Sequence, residues 1–241
     1  NREREEQEKA SLLTTGKAAL EDGLYAIAAK NFDRYIRKAS TDEERAQGVL
    51  LQARVLFGEG KFDDAVKLLT RRAGWASRTP SEPGFIYWKA RSLYEQGAYA
   101  DALTLLDDLS LRFPDSSYLL GATRLRAKCH LRLKNFDLAL DEFRDFQKSY
   151  GDSPEAPDNL LDWGGTLIEL GARGDAAATL DRLVVSYPAS DAATQGSLWL
   201  GDLYVGRGEW DKAREVLGAL AKRDGARSDR RALAWFALAR I

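Results

Sequence analysis

The 241-residue sequence contains no methionine, one cysteine, one histidine and six prolines. The lone Cys129 cannot form an internal disulfide, so cysteine usage does not indicate a redox compartment. No run of about 18 apolar residues occurs, so no membrane-spanning segment is predicted. The 36 Lys and Arg nearly balance the 37 Asp and Glu, for a net charge of −1, whereas nucleic-acid binding requires a basic footprint. We therefore expect neither a direct membrane span nor a nucleic-acid partner.

Groups for catalysis are also scarce. His130 is the only histidine, and it directly follows Cys129. Adjacent helix positions point in different directions, so this pair cannot act as a nucleophile and its base. Neither residue has metal-ligand spacing around it. We expect no enzyme activity, no metal and no cofactor, with His130 packed or half-buried in a helix.

The dominant positive feature is a repeat with a period of 37 residues. A position for glycine recurs at Gly23, Gly60, Gly97, Lys134, Gly171 and Gly208. Shortly after it, an aromatic residue recurs with one exception, at Tyr25, Phe62, Tyr99, Phe136, Arg173 and Trp210. The following recurrent position is always alanine: Ala28, Ala65, Ala102, Ala139, Ala176 and Ala213. A fixed period of this size is typical of stacked supersecondary units.

Two further positions indicate what each unit is made of. Upstream of the alanine lies a small position, occupied by Gly16, Ala53, Ala90, Ala127, Gly164 and Gly201. Downstream lies a large position, occupied by Phe32, Leu69, Leu106, Phe143, Leu180 and Leu217. Spacings of about three and four residues place side chains on one helix face. Each unit is predicted to be helix A, a tight turn and helix B, in which the small and alanine positions bring the two backbones together and the large residues fill the space between units.

The turns carry their own signals. Glycine adopts the left-handed conformation that ends many helices, and in the fourth unit Asn135, which tolerates this conformation, follows Lys134. Predicted N-caps of the next helix A are Asp42, Thr79, Ser116, Ser153 and Ser190. A capping box of Thr41 with Glu44 is the alternative at the second unit.

This pattern resembles the tetratricopeptide repeat family, whose signature appears in one unit as Ala90, Gly97, Tyr99, Ala102 and Pro114. The resemblance extends from about Ser11 to Gly225, and the period exceeds the family's usual length of about 34 residues. It implies an all-α, right-handed α-α superhelix: a solenoid of six helix pairs plus a terminal helix. The expected single domain is 1–241, with units at 5–39, 42–76, 79–113, 116–150, 153–187 and 190–225, and a final helix at 228–241.

The connections after helix B resemble those of a narrower group. Phe113–Pro114–Asp115–Ser116 and Tyr187–Pro188–Ala189–Ser190 are similar to segments of bacterial envelope tetratricopeptide proteins, of the Tol–Pal accessory and barrel-assembly lipoprotein types. This likeness implies the periplasm or the outer-membrane periphery, with the cytoplasm as the alternative. Because the sequence lacks methionine, a native start is expected upstream, and the charged residues 1–9 give no argument against export.

In the family, helix A lines the concave face, and this alignment gives a candidate partner groove. Its residues are Arg54, Tyr87, Trp88, Arg91, Tyr94, Arg124, Lys128 and Arg132. Aromatic residues beside arginine are typical of interface hot spots. Later helices place acidic residues at the groove: Asp158, Asp162, Glu169 and Asp202. The alternative is that Tyr87 and Tyr94 belong to the core and that the charges only solvate a face.

The resemblance implies a non-enzymatic protein–protein interaction scaffold that binds a peptide or partner protein in its concave groove. A structural subunit that uses the convex face, or the C-terminal helix with Trp235 and Phe236, is the alternative. The family's clamp for acidic C-terminal peptides uses Lys and Asn on successive A helices, and this chain lacks the Asn set. The sequence does not indicate an oligomeric state.

Two local irregularities are expected. The stretch from Arg71 to Gly84 contains Pro80 and Pro83, which predicts a long loop with Trp75 tucked against a helix. The fifth unit replaces the aromatic residue by Arg173 and is rich in glycine, at Gly164, Gly165, Gly171 and Gly174. Glycine inside a helix costs about 0.5–1 kcal/mol relative to alanine, so a looser fifth unit is predicted.

Overall fold

The computed structural model describes residues 2–223 and 228–239, and within them it contains thirteen α-helices and no strand. The helices are α1 (Arg2–Glu21), α2 (Tyr25–Lys38), α3 (Asp42–Gly58), α4 (Phe62–Ala76), α5 (Glu82–Glu95), α6 (Tyr99–Arg112), α7 (Leu119–Arg132), α8 (Phe136–Tyr150), α9 (Ala156–Glu169), α10 (Arg173–Ser186), α11 (Asp191–Gly206), α12 (Trp210–Lys222) and α13 (Ser228–Leu238). The odd-numbered helices are the predicted A helices. The ends of the predicted final unit and final helix, at 224–225 and 240–241, lie outside the described residues.

The chain divides into two compact units, Asn1–Asn135 with α1 to α7 (unit 1) and Phe136–Ile241 with α8 to α13 (unit 2). Within each unit every helix packs against the next helix along the chain. The A helices also contact one another, α3 with α5 and α5 with α7 in unit 1, and α9 with α11 in unit 2. The predicted all-α helical-repeat fold is therefore confirmed. The single continuous domain over 1–241 stays a prediction.

The alanine position is the most strictly buried part of the repeat. All six of its residues have no exposed surface: Ala28, Ala65, Ala102, Ala139, Ala176 and Ala213. The large position is at most 1% exposed in every unit, at Phe32, Leu69, Leu106, Phe143, Leu180 and Leu217. A methyl group is thus the largest side chain that this helix crossing accommodates without a shift of its neighbours.

The small position contacts the large side chain of its own unit. A Cβ atom on Gly164 would lie 2.6 Å from Leu180 Cδ2. Gly201 and Leu217 stand in the same relation, at 2.7 Å. The large residues therefore also pack against helix A of their own unit. Leu180 in addition approaches the next helix A, where a Cβ atom on Gly196 would lie 3.6 Å from its Cδ2.

The turns after helix A adopt the predicted conformation. Five glycines have φ values from 71° to 81°: Gly23, Gly60, Gly97, Gly171 and Gly208. In the fourth unit Lys134 itself has a φ of 62°, so the expectation that Asn135 takes this role was wrong. Asn135 N–H donates to His130 O at 2.9 Å, as Ala98 N–H donates to Leu93 O in the preceding unit. This hydrogen bond fixes the register of the turn and leaves the left-handed position on Lys134.

Two of the predicted caps are confirmed. Thr41 Oγ1 accepts the Glu44 backbone N–H, and the Glu44 carboxylate accepts the Thr41 N–H, which completes the capping box at the start of α3. Ser190 Oγ accepts the Ala193 N–H at 3.0 Å. Asp42 is the first residue of α3 rather than its cap.

Three predicted caps, at Thr79, Ser116 and Ser153, were wrong because α5, α7 and α9 begin three residues later. The N–H groups of Glu82, Leu119 and Ala156 donate to the carbonyls of those three residues at 3.0–3.1 Å. An extra hydrogen-bonded turn therefore precedes each of these helices. In α5 and α9 a proline at the first or second position then starts the helix.

The predicted long loop from Arg71 to Gly84 was also wrong, because α4 continues to Ala76 and α5 begins at Glu82. Trp75 is half-buried against the core around α3 and α5, with the Arg72 guanidinium 4.4 Å from its ring centroid. Trp75 therefore packs as expected, and its burial with Ala76 holds the last turn of α4 in place.

A partly buried ion pair links the first helix to the capping box. Lys9 is 5% exposed and donates from Nζ to Glu44, which also accepts the Ser40 N–H at 2.6 Å. Burial alone would raise the pKa of Glu44. The hydrogen bonds from Lys9, Ser40 and Thr41 outweigh this effect, so the pKa of Glu44 lies below its ordinary value of 4.5.

Replacing Ala102 by leucine is expected to reduce the free energy of unfolding by about 1–3 kcal/mol, because the added atoms overpack a fully buried crossing. Urea denaturation measures the change. Ala100→Leu, at an exposed position of the same helix, is the matched control and should change stability by less than about 0.5 kcal/mol. Equal effects of the two substitutions would contradict the role of the alanine position.

Lys134→Gly is expected to raise the free energy of unfolding by about 0.5–1 kcal/mol, because removing the cost of a left-handed lysine outweighs the chain entropy that glycine adds to the unfolded state. Lys148→Gly, at an exposed position within α8, should instead destabilise by about 0.5–1 kcal/mol. Thermal and urea denaturation measure both. A destabilising Lys134→Gly would contradict the assignment of strain to this residue.

Glu44→Gln is expected to lower the free energy of unfolding at pH 7 by about 1 kcal/mol, because the charged partner of Lys9 and of the α3 cap is lost. The folded-state pKa of Glu44 is depressed, so the wild-type advantage is fully present above about pH 4.5 and shrinks as the pH falls through the folded-state pKa. Urea denaturation from pH 3 to 7 tests this, with the exposed Glu21→Gln as control. A difference that does not change with pH would argue against the ion pair.

Candidate protein-binding surface

The eight predicted groove residues lie on three neighbouring A helices of unit 1. Arg54 is on α3, while α5 and α7 carry the remaining seven: Tyr87, Trp88, Arg91, Tyr94, Arg124, Lys128 and Arg132. Because α5 contacts both α3 and α7, the structure brings the three groups of residues onto adjacent helices. We call these eight residues, together with Phe57 and Tyr118, the aromatic–basic surface.

Trp88 is the centre of this surface. The Arg54 guanidinium lies 5.3 Å from the Trp88 ring centroid, and the Arg91 guanidinium lies 4.9 Å from it. Arg91 also lies 4.8 Å from the Phe57 centroid, and Phe57 meets Trp88 edge to face at 5.3 Å. Such contacts are worth about 0.5–1 kcal/mol each at exposed sites. They hold two guanidinium groups in place on a half-buried aromatic platform.

The repeat places these cations in register. Arg54, Arg91 and Lys128 are separated by one period of 37 residues each, so they occupy the same position on α3, α5 and α7. Arg54 Nε is buried without a hydrogen-bond partner among the described residues. The contacts of Arg54 and Arg91 within those residues are with aromatic rings rather than carboxylates. Two guanidinium groups are thus held on aromatic rings of this surface.

A second group of rings extends the surface towards α7. Tyr87 packs against Trp88 at 5.8 Å and against Tyr118 at 5.3 Å. A Cβ atom on Gly121 would lie 2.7 Å from Tyr87 Oη, and one on Gly84 would lie 3.0 Å from Tyr118 Oη. These two glycines are one period apart. The missing side chains on α5 and α7 are what allow the tyrosine rings to lie against the helices.

Tyr118 is the residue that the sequence did not indicate. It precedes α7 and is half-buried beside Tyr87. Burial raises the pKa of Tyr118, and the positive charge of Arg54 opposes this effect in part. Tyr118 is therefore a neutral phenol at pH 7, and it adds an aromatic face to the platform without adding charge.

The far end of the surface combines packing and charge. Tyr94 meets Tyr99 edge to face at 5.3 Å, and Arg132 Nε donates to Tyr94 Oη at 3.3 Å. The rings of Tyr87 and Tyr94 also pack against the core around Ala90, as the alternative reading of these residues expected. Arg124 and Lys128 are half-buried and Arg132 is exposed. The tyrosines thus anchor the surface to the core while the cations stay at its face.

The predicted acidic positions lie in unit 2, and two of them line one cavity. Glu169 on α9 and Asp202 on α11 line a cavity of about 410 Å³. Asp158 and Asp162, also on α9, do not line it.

The chemistry of Cys129 and His130 is restricted by packing. Cys129 is fully buried, and this burial, with a contribution from Asp107, raises the pKa of its thiol to about 12. The thiol stays protonated at neutral pH and is a poor nucleophile. His130 is half-buried, as predicted, and its Nδ1 is buried without a hydrogen-bond partner among the described residues.

Two further surface properties bear on partners. Within residues 2–223 and 228–239, no helix combines the length and the apolar character needed to cross a membrane. On α13, Trp235 is 54% exposed and Phe236 is 64% exposed. The C-terminal helix therefore presents apolar surface, which the structural-subunit alternative requires.

Comparisons with known proteins agree with the geometry. One tetratricopeptide repeat family model matches residues 56–129, and a second matches 13–78 and 198–241. No curated protein is significantly similar in sequence.

Solved structures of similar fold include a tetratricopeptide repeat protein from Parabacteroides merdae, with 16% identity, 97% of this chain and 87% of the other covered, and a TM-score of 0.64. A Rap protein complexed with Competence and Sporulation Factor has 14% identity and a TM-score of 0.65, and the match covers 97% of this chain and 73% of the other. YrrB, a tetratricopeptide repeat protein with an unusual peptide-binding site, has 16% identity and a TM-score of 0.55, and the match covers 87% of this chain and 98% of the other. At these identities the structural likeness establishes the fold alone. Since the family models together match more than half of the sequence, the chain belongs to the tetratricopeptide repeat family.

Proposed function

We propose that the chain is a non-enzymatic protein–protein interaction scaffold whose aromatic–basic surface binds an acidic segment of a partner protein. The observation that carries this proposal is the stacking of Arg54 and Arg91 on Trp88, at 5.3 and 4.9 Å. In the geometry of the family, this surface is the concave groove.

The chemistry of the surface favours carboxylates. A guanidinium presents a planar fork that matches a carboxylate with two hydrogen bonds. Here the rings of Trp88 and Phe57 already hold two such forks, so less side-chain entropy is lost when a partner binds. Lys128, at the same repeat position on α7, extends the positive row. Aspartate and glutamate side chains of a peptide or helix are therefore the expected contacts.

Two of the similar structures support a partner-binding role. The Rap protein was crystallised with Competence and Sporulation Factor, and YrrB is described as having an unusual peptide-binding site. The shared fold places A helices side by side, which is the surface that solenoid proteins offer to partners. We extend this role to the present chain through Trp88 and its two arginines.

The setting that we propose is a bacterial envelope assembly, at the periplasm or the outer-membrane periphery. Its support is the Pro-containing connections at Pro114 and Pro188, which resemble those of envelope tetratricopeptide proteins. The cytoplasm is the alternative.

A structural-subunit role is the second candidate, favoured by the exposed apolar side chains of α13, Leu233, Trp235 and Phe236. Contiguous apolar surface of this kind marks interaction sites. Such a site would select apolar rather than acidic partners, so one experiment separates the two candidates.

Peptide display against the intact chain is expected to enrich sequences that contain Asp or Glu beside an aromatic residue. Reversing two charges, in Arg91→Glu with Lys128→Glu, should weaken binding of the enriched peptides by roughly tenfold or more. Binding should also weaken between low and physiological salt, because surface charges are screened. Fluorescence anisotropy with labelled peptides measures both effects.

The control carries Lys30→Glu and Arg71→Glu, which are exposed on helices α2 and α4 and change the net charge equally. It should bind the enriched peptides as the wild type does. Enrichment of apolar sequences that bind the Arg91→Glu, Lys128→Glu variant unchanged would favour α13 and contradict the aromatic–basic surface.

A further inference from the structure

Unit 2 contains a cavity of about 410 Å³ between its two neighbouring A helices, α9 and α11. Trp199 forms an aromatic wall, and Glu169 and Asp202 bring carboxylates to the lining. This cavity lies outside the aromatic–basic surface, which belongs to unit 1.

The cavity uses the same repeat positions as the group of Arg54, Trp88 and Arg91 in unit 1. Trp199 lies three periods after Trp88, at the same position of its A helix. The position of Arg54 is occupied by Gly165, and the position of Arg91 is occupied by Asp202, each also three periods later. The tryptophan is therefore kept, while one cation is deleted and the other is replaced by an acid.

The deleted cation accounts for the empty space. In unit 1 the Arg54 guanidinium lies 5.3 Å from the Trp88 centroid. In unit 2 the backbone of Gly165 adjoins the ring, since a Cβ atom there would lie 3.1 Å from Trp199 Cζ3. The position that supplies a stacked guanidinium in unit 1 thus supplies no side chain against Trp199.

A second exception to the repeat lies at the cavity. At two turns of unit 1 the aromatic position packs its ring on the preceding A helix, since Phe62 meets Phe57 at 5.1 Å and Tyr99 meets Tyr94 at 5.3 Å. In unit 2 this position is Arg173, which lies at the cavity lining instead of a ring. The residue that interrupts the repeat pattern therefore adds a guanidinium to the lining.

The charges of the lining favour a cation. Two carboxylates, Glu169 and Asp202, face one guanidinium, Arg173, so the lining is net negative. We propose that the cavity binds an arginine side chain of a partner protein, whose guanidinium stacks on Trp199 and pairs with Asp202 and Glu169. Arginine fits better than lysine because its planar group stacks on aromatic rings and pairs with carboxylates through two hydrogen bonds. The incoming side chain takes the place that Arg54 holds on Trp88.

The site extends the scaffold role to unit 2 and does not depend on the aromatic–basic surface. To test the proposal, the intact chain is titrated with the peptide N-acetyl-Gly-Arg-Gly-amide, and the NMR signals of the tryptophan indole N–H groups are recorded. Trp199→Phe identifies the signal of Trp199. That signal is expected to shift to saturation with the arginine peptide and not with the neutral peptide in which citrulline replaces arginine. Equal shifts with both peptides would overturn the proposal.

Two variants test the geometry. Glu169→Gln with Asp202→Asn should weaken binding roughly fivefold to tenfold, because two ion pairs are lost. Gly165→Arg restores the residue type found at Arg54 and should abolish binding by covering Trp199 with the chain's own guanidinium. Asp211→Asn, at a fully exposed carboxylate of α12 (102% side-chain exposure), changes the charge elsewhere in unit 2 and should bind as the wild type does.

The outcomes remain distinct from those for unit 1. Arg91→Glu with Lys128→Glu should leave the titration with the arginine peptide unchanged. Loss of acidic-peptide binding in unit 1 and loss of arginine binding in unit 2 are therefore separate results. Unchanged binding by Gly165→Arg, with its folding verified by urea denaturation, would show that Trp199 is not the platform and would overturn the inference.

Discussion

The fold depends on one repeated contact, the packing of a large side chain of helix B against a glycine or alanine of helix A. Leu180 against Gly164 and Leu217 against Gly201 show how close this contact is, since a Cβ atom on either glycine would lie within 2.7 Å of the leucine. Fully burying a leucine contributes about 1.5–3 kcal/mol. In a repeat array such terms add between nearest neighbours. Stability therefore resides in a narrow stripe of each helix, and the remainder of the A-helix face is available for other roles.

That stripe is also the part of the structure that the sequence predicts best. The alanine, small and large positions recur without reference to any distant residue, so the helix pairs and the left-handed glycines follow from the period alone. Helix starts are harder to predict. Ser116 and Ser190 occupy equivalent positions of the repeat, yet only Ser190 caps its helix, because an extra turn follows Ser116 before α7 begins. The choice depends on the packing of the connection, which side-chain type does not encode.

The candidate surface was likewise predicted in part. Counting in periods placed Arg54, Trp88 and Arg91 on adjacent helices, and the structure brings them together. The count could not identify Tyr118, because this residue lies outside the helix and reaches Tyr87 only where glycine is present at Gly84 and Gly121. A glycine inside a helix is read from sequence as a weakness. Here each one makes room for an aromatic ring from a neighbouring element, which is a tertiary effect.

In both units a helix glycine lies against an aromatic ring. The charged residues nearby are basic in unit 1 and mainly acidic in unit 2. Glycine at Gly121 lets Tyr87 lie against α7, and glycine at Gly165 leaves Trp199 beside open space. Along one repeat position the residues are Arg54, Arg91, Lys128, Gly165 and Asp202, so the sign of the charge reverses between unit 1 and unit 2. Core packing does not require this change, because the alanine position is equally buried in every unit. A period that keeps the helix crossings constant thus leaves one position outside the core free to vary, and we propose that its variation gives the two units different ligand chemistry.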